Sequence, residues 1–244
     1  MRTGFLPLFC SFVVGCVATS FCSAQQAAAD TSFIPVARHK VVSDYTAAIQ
    51  HQSRLYNGSD YVLYLSRDEE HPYFEIDDWA LGSVIYWNEL YENVPLMYDI
   101  SVDQIITEHN RGNPIKLHAE KVQGFVINGN KFVRLERNNS NIQEGFYHQL
   151  YDGASVKVYS KHLKEYREKL DTKEVIPLYR ETTRYYIMKD GNYLPVKSKG
   201  SIISAFADRK TEVKSFIRKN GIKVSRDKER SIVRIANHYD SLTD

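Results

Sequence analysis

Val122-Gln123-Gly124-Phe125-Val126-Ile127, Asn128-Gly129-Asn130 and Lys131-Phe132-Val133-Arg134-Leu135-Glu136 form the stretch whose reading decides the fold. Two runs rich in β-branched and aromatic residues flank a turn. Its Asn-Gly pair supplies the positive φ angles of a tight hairpin. The grammar repeats downstream: Asp152-Gly153 separates Phe146–Tyr151 from Ser155–Leu163, and Asp190-Gly191-Asn192 separates Arg184–Lys189 from Tyr193–Val196. Further short runs read as strands at Tyr61–Leu65, Ser83–Leu90, Leu96–Ile100, Gln104–His109, Ile115–His118 and Val175–Tyr179. Hairpins in series, without alternating crossover helices, predict an antiparallel meander, either curled into a half-barrel or packed as a sandwich.

Both ends of this β region change period. Val41, Val42, Tyr45, Ala48, Ile49 and Leu55 recur at helical spacing, and Asn57-Gly58 ends that N-terminal helix. Past Val196, Ile202, Ile203, Phe206, Val213, Phe216 and Ile217 make one apolar stripe, broken near Asp208 and closed by Gly221. Ser225 is positioned to cap a last helix in which Ile232, Ile235, Ala236, Tyr239 and Leu242 face one way. The expected class is α+β, mainly β: the meander, an N-terminal helix and two to three C-terminal helices. Residues 36–244 read as one β-rich domain with 198–244 as its helical segment, preceded by a flexible leader at 25–35.

The first 24 residues carry the three parts of an export signal: Arg2, the apolar stretch Phe5–Val17, and small residues ending at Ala24. That stretch is shorter than the roughly 20 residues of a membrane-spanning helix. The expectation is therefore an exported chain, periplasmic or extracellular, with a lipoprotein anchored at Cys16 as the minor alternative. Cys10, Cys16 and Cys22 all lie inside the signal, so the processed chain would hold no disulfide, thiol nucleophile or cysteine metal site. Its charge is near balance overall but not along its length: Lys197–Asp244 holds 12 basic and 6 acidic residues, net +6. This basic end reads either as a contact for an anionic surface such as membrane phosphate, or as the wet faces of amphipathic helices.

Several segments together carry a resemblance. They are Leu55-Tyr56-Asn57-Gly58, His71-Pro72-Tyr73-Phe74, Tyr91-Glu92-Asn93-Val94-Pro95-Leu96-Met97-Tyr98-Asp99, Ile115-Lys116-Leu117 and Phe132-Val133-Arg134-Leu135. Gly145-Phe146-Tyr147, Leu150-Tyr151-Asp152-Gly153, Tyr185-Tyr186, Ser198-Lys199 and His238-Tyr239-Asp240 complete the set. With these, the chain resembles a group of uncharacterised exported bacterial proteins of similar length. The resemblance implies one exported β-rich domain with C-terminal helices, and brings no activity, cofactor or catalytic residue with it.

No chemical motif stands out. Asp68-Glu69-Glu70-His71 with Glu75, Asp77 and Asp78 is oxygen-rich, but its spacing fits no EF-hand loop, and it reads as a solvated acidic loop. The histidines form no HExxH pair, and His148 and His162, on neighbouring strands, do not count out opposite each other. Ser198-Lys199-Gly200-Ser201 sits at a helix start, where serine caps; no Gly-x-Ser-x-Gly elbow or phosphate-cradling loop occurs. Asn57-Gly58-Ser59 and Asn138-Asn139-Ser140 read as chance matches to the glycosylation pattern. No catalytic residue, metal site, cofactor or nucleic-acid partner is expected.

What is unusual is the count of seventeen tyrosines, many on the expected strands. An aromatic sheet face suits an apolar or glycan ligand or an envelope protein partner, while tyrosine also sits well on ordinary half-buried strands. The leading reading is a non-enzymatic binding module of the envelope, with Tyr86, Trp87, Tyr98, Tyr147 and Tyr151 as candidate ligand residues. The alternative is a secreted hydrolase acting on glycans or peptides, in which two of Glu75, Asp77, Asp99, Asp103 and His71 would converge in a cleft.

Overall fold

The turn chemistry of the central hairpin is realised as expected: Asn128 and Gly129 both have positive φ (49° and 76°), and Ile127 pairs with Asn130 across them. The computed structural model describes residues 54–64, 70–109, 112–137, 142–171 and 174–242, the side chains of 169–177 excepted. The expected signal with its cysteines, the expected leader, the expected N-terminal helix up to residue 53, Asp68-Glu69 and Asn138-Asn139-Ser140 lie outside the described residues. Of the expected helix, Leu55 is described; it is buried within a short 3-10 turn, Arg54–Tyr56.

Eleven strands form one hydrogen-bonded sheet. They are β1 (Ser59–Asp60), β2 (Ala80–Tyr86), β3 (Glu89–Asp99), β4 (Gln104–Glu108), β5 (Pro114–Lys116), β6 (Val122–Ile127), β7 (Asn130–Leu135), β8 (Gly145–Asp152), β9 (Val156–Asp171), β10 (Glu174–Lys189) and β11 (Asn192–Val196). The order is β1-β5-β4-β3-β2-β6-β7-β8-β9-β10-β11, and every pairing is antiparallel. From β2 the chain meanders outward in both directions, and only β2–β6 and β1–β5 join strands that are not consecutive.

Three strand expectations are corrected. Ser83–Leu90 is not one strand: the chain reverses at Trp87 and Asn88, both at positive φ (52° and 63°), so a hairpin joins β2 to β3. No glycine marks this turn, and the tryptophan hides it. Tyr61–Tyr64 carries no strand, and β1 precedes it instead. Finally, β9 and β10 run 16 residues each, far past the expected limits. The charge-dense sequence after Leu163 masks the strand, yet Lys164 sits opposite Glu181 and Glu165 opposite Arg180, cross-strand pairs of opposite charge that favour the ladder.

The sheet bends back on itself. The segment Glu70–Phe74 fits between the end of β3 and β9: Phe74 N–H donates to Tyr98 O (2.8 Å), and Ile100 N–H donates to Pro72 O (3.1 Å). Lys164 completes the junction, its backbone N–H reaching Ile100 O (3.3 Å) and its Nζ the carbonyls of His71 (3.0 Å) and Tyr73 (2.8 Å). The enclosed core holds Val84, Tyr86, Leu96, Tyr98, Phe125, Phe132 and Phe146.

Three helices follow: α1 (Lys199–Ala205), α2 (Lys210–Lys219) and α3 (Lys228–Asp240), with a 3-10 turn at Ala207–Arg209 where the break near Asp208 was expected. Ser198 caps α1 in a reciprocal capping box with Ser201. The cap of α3 is Asp227, not Ser225: its carboxylate accepts from Arg230 N–H (3.0 Å). Ile202, Phe206, Val213, Ile217, Ile232, Ile235 and Tyr239 bury against Val156, Val158, Ile187 and Val196 of the sheet.

Asp240 locks α3 onto the β8–β9 connection. Its carboxylate accepts from Tyr151 O–H (2.8 Å) and Ser155 N–H (3.0 Å). This gives Gly153 a role other than turn conformation, since a Cβ there would stand 1.6 Å from Asp240 Oδ2. Gly153→Ala should therefore lower stability by about 2 kcal/mol. In chemical denaturation part of the loss should disappear in an Asp240→Ala background, where the carboxylate clash is gone and only the Tyr151 ring, 2.5 Å from the added Cβ, has to move.

Candidate functional site

The five expected ligand residues do not share a surface. Tyr86, Tyr98 and Tyr147 are at most 1% exposed. Burial raises the phenol of Tyr86 and pushes that of Tyr147 up to about 12, and burial together with Asp103 raises that of Tyr98 well above its ordinary value. Trp87 is exposed at the β2–β3 turn with Lys121 Nζ 4.4 Å from its ring. Tyr151 is half-buried on Asp240. Tyr98 and Tyr147 do meet, around a half-buried ion pair: Lys161 Nζ lies 2.6 Å from Asp103 Oδ2 and 5.2 Å from the Tyr147 ring, and Tyr98 O–H donates to Asp103 Oδ1 (2.5 Å). The inner aromatics pack on one another, as in the Phe125–Phe132 stack at 4.8 Å, so these rings form interior rather than a ligand face.

Asp77 is exposed, and the other acidic and histidine candidates are held by neighbours. Glu75 accepts from the amides of Asn128 and Asn130 (both 3.3 Å), Asp99 from Tyr61 O–H (2.6 Å) and Ser101 O–H (2.6 Å), and Asp103 serves Lys161. His71 Nδ1 accepts from Tyr73 N–H (3.2 Å), and burial together with Lys164 holds its imidazole below the usual range; Asp77, Glu70 and Glu181 oppose that shift. Among the described residues no group of three His, Asp, Glu or Cys is placed to hold a metal ion.

The fold assembles one arrangement that sequence spacing did not reveal. Ser160 Oγ lies 3.1 Å from His162 Nε2, and His162 Nδ1 lies 3.5 Å from Glu181 Oε1, an order of roles familiar from acyl-transfer triads. Ser160 and His162 share a face of β9, and Glu181 comes across from β10, too far along the chain to register as a motif. Ser160 is 0% exposed, however, and His162 is walled by the rings of Phe74 (5.0 Å) and His148 (5.9 Å). No substrate carbonyl reaches that hydroxyl. The chain of hydrogen bonds instead orients His162, whose bond to Glu181 holds that carboxyl below its ordinary value. His148 and His162 are near neighbours although not directly opposite, since His148 pairs with Ser160.

A concavity lies on the helical end. A shallow groove of about 440 Å³, open to solvent, is lined by Lys199, Ile203, Lys214, Ile217, Arg218, Gly221, Ile222 and Lys223. Local sequence builds it. Gly221 (φ 58°) closes α2 in a Schellman turn, with Ile222 N–H donating to Ile217 O (3.0 Å) and Gly221 N–H to Arg218 O (3.2 Å). That turn packs Ile222 beside Ile217 as the floor and brings Lys223 back to the rim. Lys214 and Arg218 stand one helical turn apart on α2, and Lys199 approaches from α1. Among the described residues none of these four cations lies within ion-pair distance of a carboxylate, unlike Arg209 with Glu212 and Lys189 with Asp208. The net charge of the C-terminal segment was the sequence signal; its concentration around three isoleucines required the fold.

No family model, curated protein or solved structure matches the chain. Among the described residues no helix is long and apolar enough to cross a membrane.

Proposed function

We propose that the chain is an exported, non-enzymatic binding module of the cell envelope whose helical end engages an anionic partner with an apolar portion. The observation that carries this reading is the set of four cations around an isoleucine floor, none of which lies within ion-pair distance of a carboxylate among the described residues. Charge of one sign gathered in a concavity attracts anions and would be self-repelling without them. The sheet, read as a half-barrel closed by the Glu70–Phe74 segment, serves as the rigid support on which the helices pack. The rival hydrolase reading draws on the Ser160–His162–Glu181 chain, and the complete burial of Ser160 weighs against it.

Titration calorimetry with monomeric dodecyl phosphate tests the proposal. The expected result is saturable binding at one site, weakened at least tenfold by Lys199→Gln, Lys214→Gln, Arg218→Gln and Lys223→Gln combined. These side chains project from the surface, so the variant should keep its melting transition. Binding of equal strength in the variant, or none in the parent protein, would refute it.

A further inference from the structure

We infer that the partner of this groove is the anionic phospholipid surface of an envelope membrane; this rests on the anion-binding reading above. Three features select a lipid surface over a small soluble anion. The groove is shallow and open, so it cannot enclose a small molecule and exclude water around it, as ligand pockets do. Its floor is apolar: Ile203 is half-buried and reaches solvent between the cations, and free phosphate would leave that surface unused. The rim is made of long lysine and arginine side chains, whose stems lie along apolar surface while their heads stay in water. Headgroup phosphates would meet the ammonium and guanidinium groups, and the first acyl methylenes would cover the exposed part of Ile203; Ile217 and Ile222 are already buried beneath it.

The charge balance around the groove agrees. Lys210 precedes Lys214 and Arg218 on the same α2 row, and Lys219 and Arg226 flank the closing turn, all exposed. The described acidic residues of this segment are engaged elsewhere: Asp208 with Lys189 and Tyr239, Glu212 near Arg209, Asp227 as the α3 cap, Glu229 with Tyr185, and Asp240 on the β8–β9 connection. Each basic residue near an anionic bilayer strengthens binding by about fivefold.

The test is co-sedimentation of the protein, in the processed form its own cells hold, with vesicles of phosphatidylglycerol and phosphatidylcholine at fixed ionic strength. The expected result is binding that requires phosphatidylglycerol, falls steeply with added salt, and drops several hundredfold, on the order of fivefold for each of the four charges removed, in the four-glutamine groove variant. A matched variant (Lys116→Gln, Lys131→Gln, Arg137→Gln and Arg180→Gln, all exposed and outside the helices) makes the same change in net charge and should lose only a few-fold. Equal losses in both variants would overturn the inference, since the attraction would then be diffuse. If dodecyl phosphate monomers bind at the groove while phosphatidylglycerol vesicles are ignored, the membrane inference fails and the anion-binding reading stands. If neither probe binds, both fail.

Discussion

Asp103→Ala should destabilise the protein by about 3 kcal/mol, the low end of the penalty for breaking a buried ion pair, because Lys161 is buried while the Asp103 side chain is 26% exposed. Lys161 is 6% exposed, and its ammonium has two partners, Asp103 Oδ2 at 2.6 Å and Phe146 O at 3.0 Å. Burial lowers the lysine's proton affinity, and Asp103 is the group that opposes this. The same carboxylate accepts from Tyr98 O–H and, at 3.2 Å, from Phe146 N–H. Its loss would thus orphan a charge, a phenol and a backbone amide together. Gly145, at φ 144°, leaves the space this network fills: a Cβ there would stand 2.0 Å from Asp103 Oδ2. Urea denaturation should show the loss in midpoint, with partial recovery when Lys161→Met is added, because the stranded charge is then replaced by apolar volume. If the single variant retains its midpoint, the Asp103–Lys161 pair is not structural.

The second large effect is on pH dependence. His148 is held neutral, its imidazole pushed down to about 4 by burial first and by the neighbouring His162 second. Its ring stacks 5.1 Å from Phe132, and Nδ1 has no hydrogen-bond partner among the described residues. The folded value lies below the unfolded one, near 6.5, so the unfolded chain binds the proton more readily. Stability should therefore be full above about pH 6.5, fall as pH drops through that value, and level off for this group near pH 4. The loss should reach about 2–3 kcal/mol, after allowance for partial solvent screening. Carboxyls held low in the fold, such as Glu181 and Asp208, add their own acid losses below the ordinary carboxylate range. The difference between the parent protein and His148→Leu isolates the histidine. Melting the two side by side from pH 7.5 to 4.5 should show a shallower decline for the variant. Parallel curves would mean that His148 charges freely in the fold.

The sequence was most legible where local chemistry is autonomous. Asn128-Gly129 and Asp190-Gly191 adopt the positive φ angles that tight hairpins need, Val122–Ile127 is a strand with the expected limits, and Gly221 ends α2. It was least legible where tertiary context overrides local signal. Trp87 turns the chain without a glycine, and the long β9–β10 ribbon is carried through a charged stretch by cross-strand pairing. Gly153 signalled a turn, whereas its main structural role is to make room for a carboxylate 87 residues away at Asp240. The tyrosines show the same limit. Their spacing on strands gave no means to tell an inward face from an outward one in a sheet that curls. Tyr98 and Tyr147 consequently turn out to border the half-buried Asp103–Lys161 pair. The groove was half legible: the excess of basic residues after Val196 is plain in the sequence, but their clustering depends on the Schellman turn and the approach of α1 to α2.

A groove on the helical end that takes an anionic amphiphile must show it in where such a ligand binds. Amide chemical-shift mapping during titration with monomeric dodecyl phosphate answers that in one experiment. The predicted result is progressive, saturable shifts confined to residues 199–203 and 214–223, with the strands unperturbed. Shifts centred on the strands around Trp87, or none up to millimolar amphiphile, would contradict it.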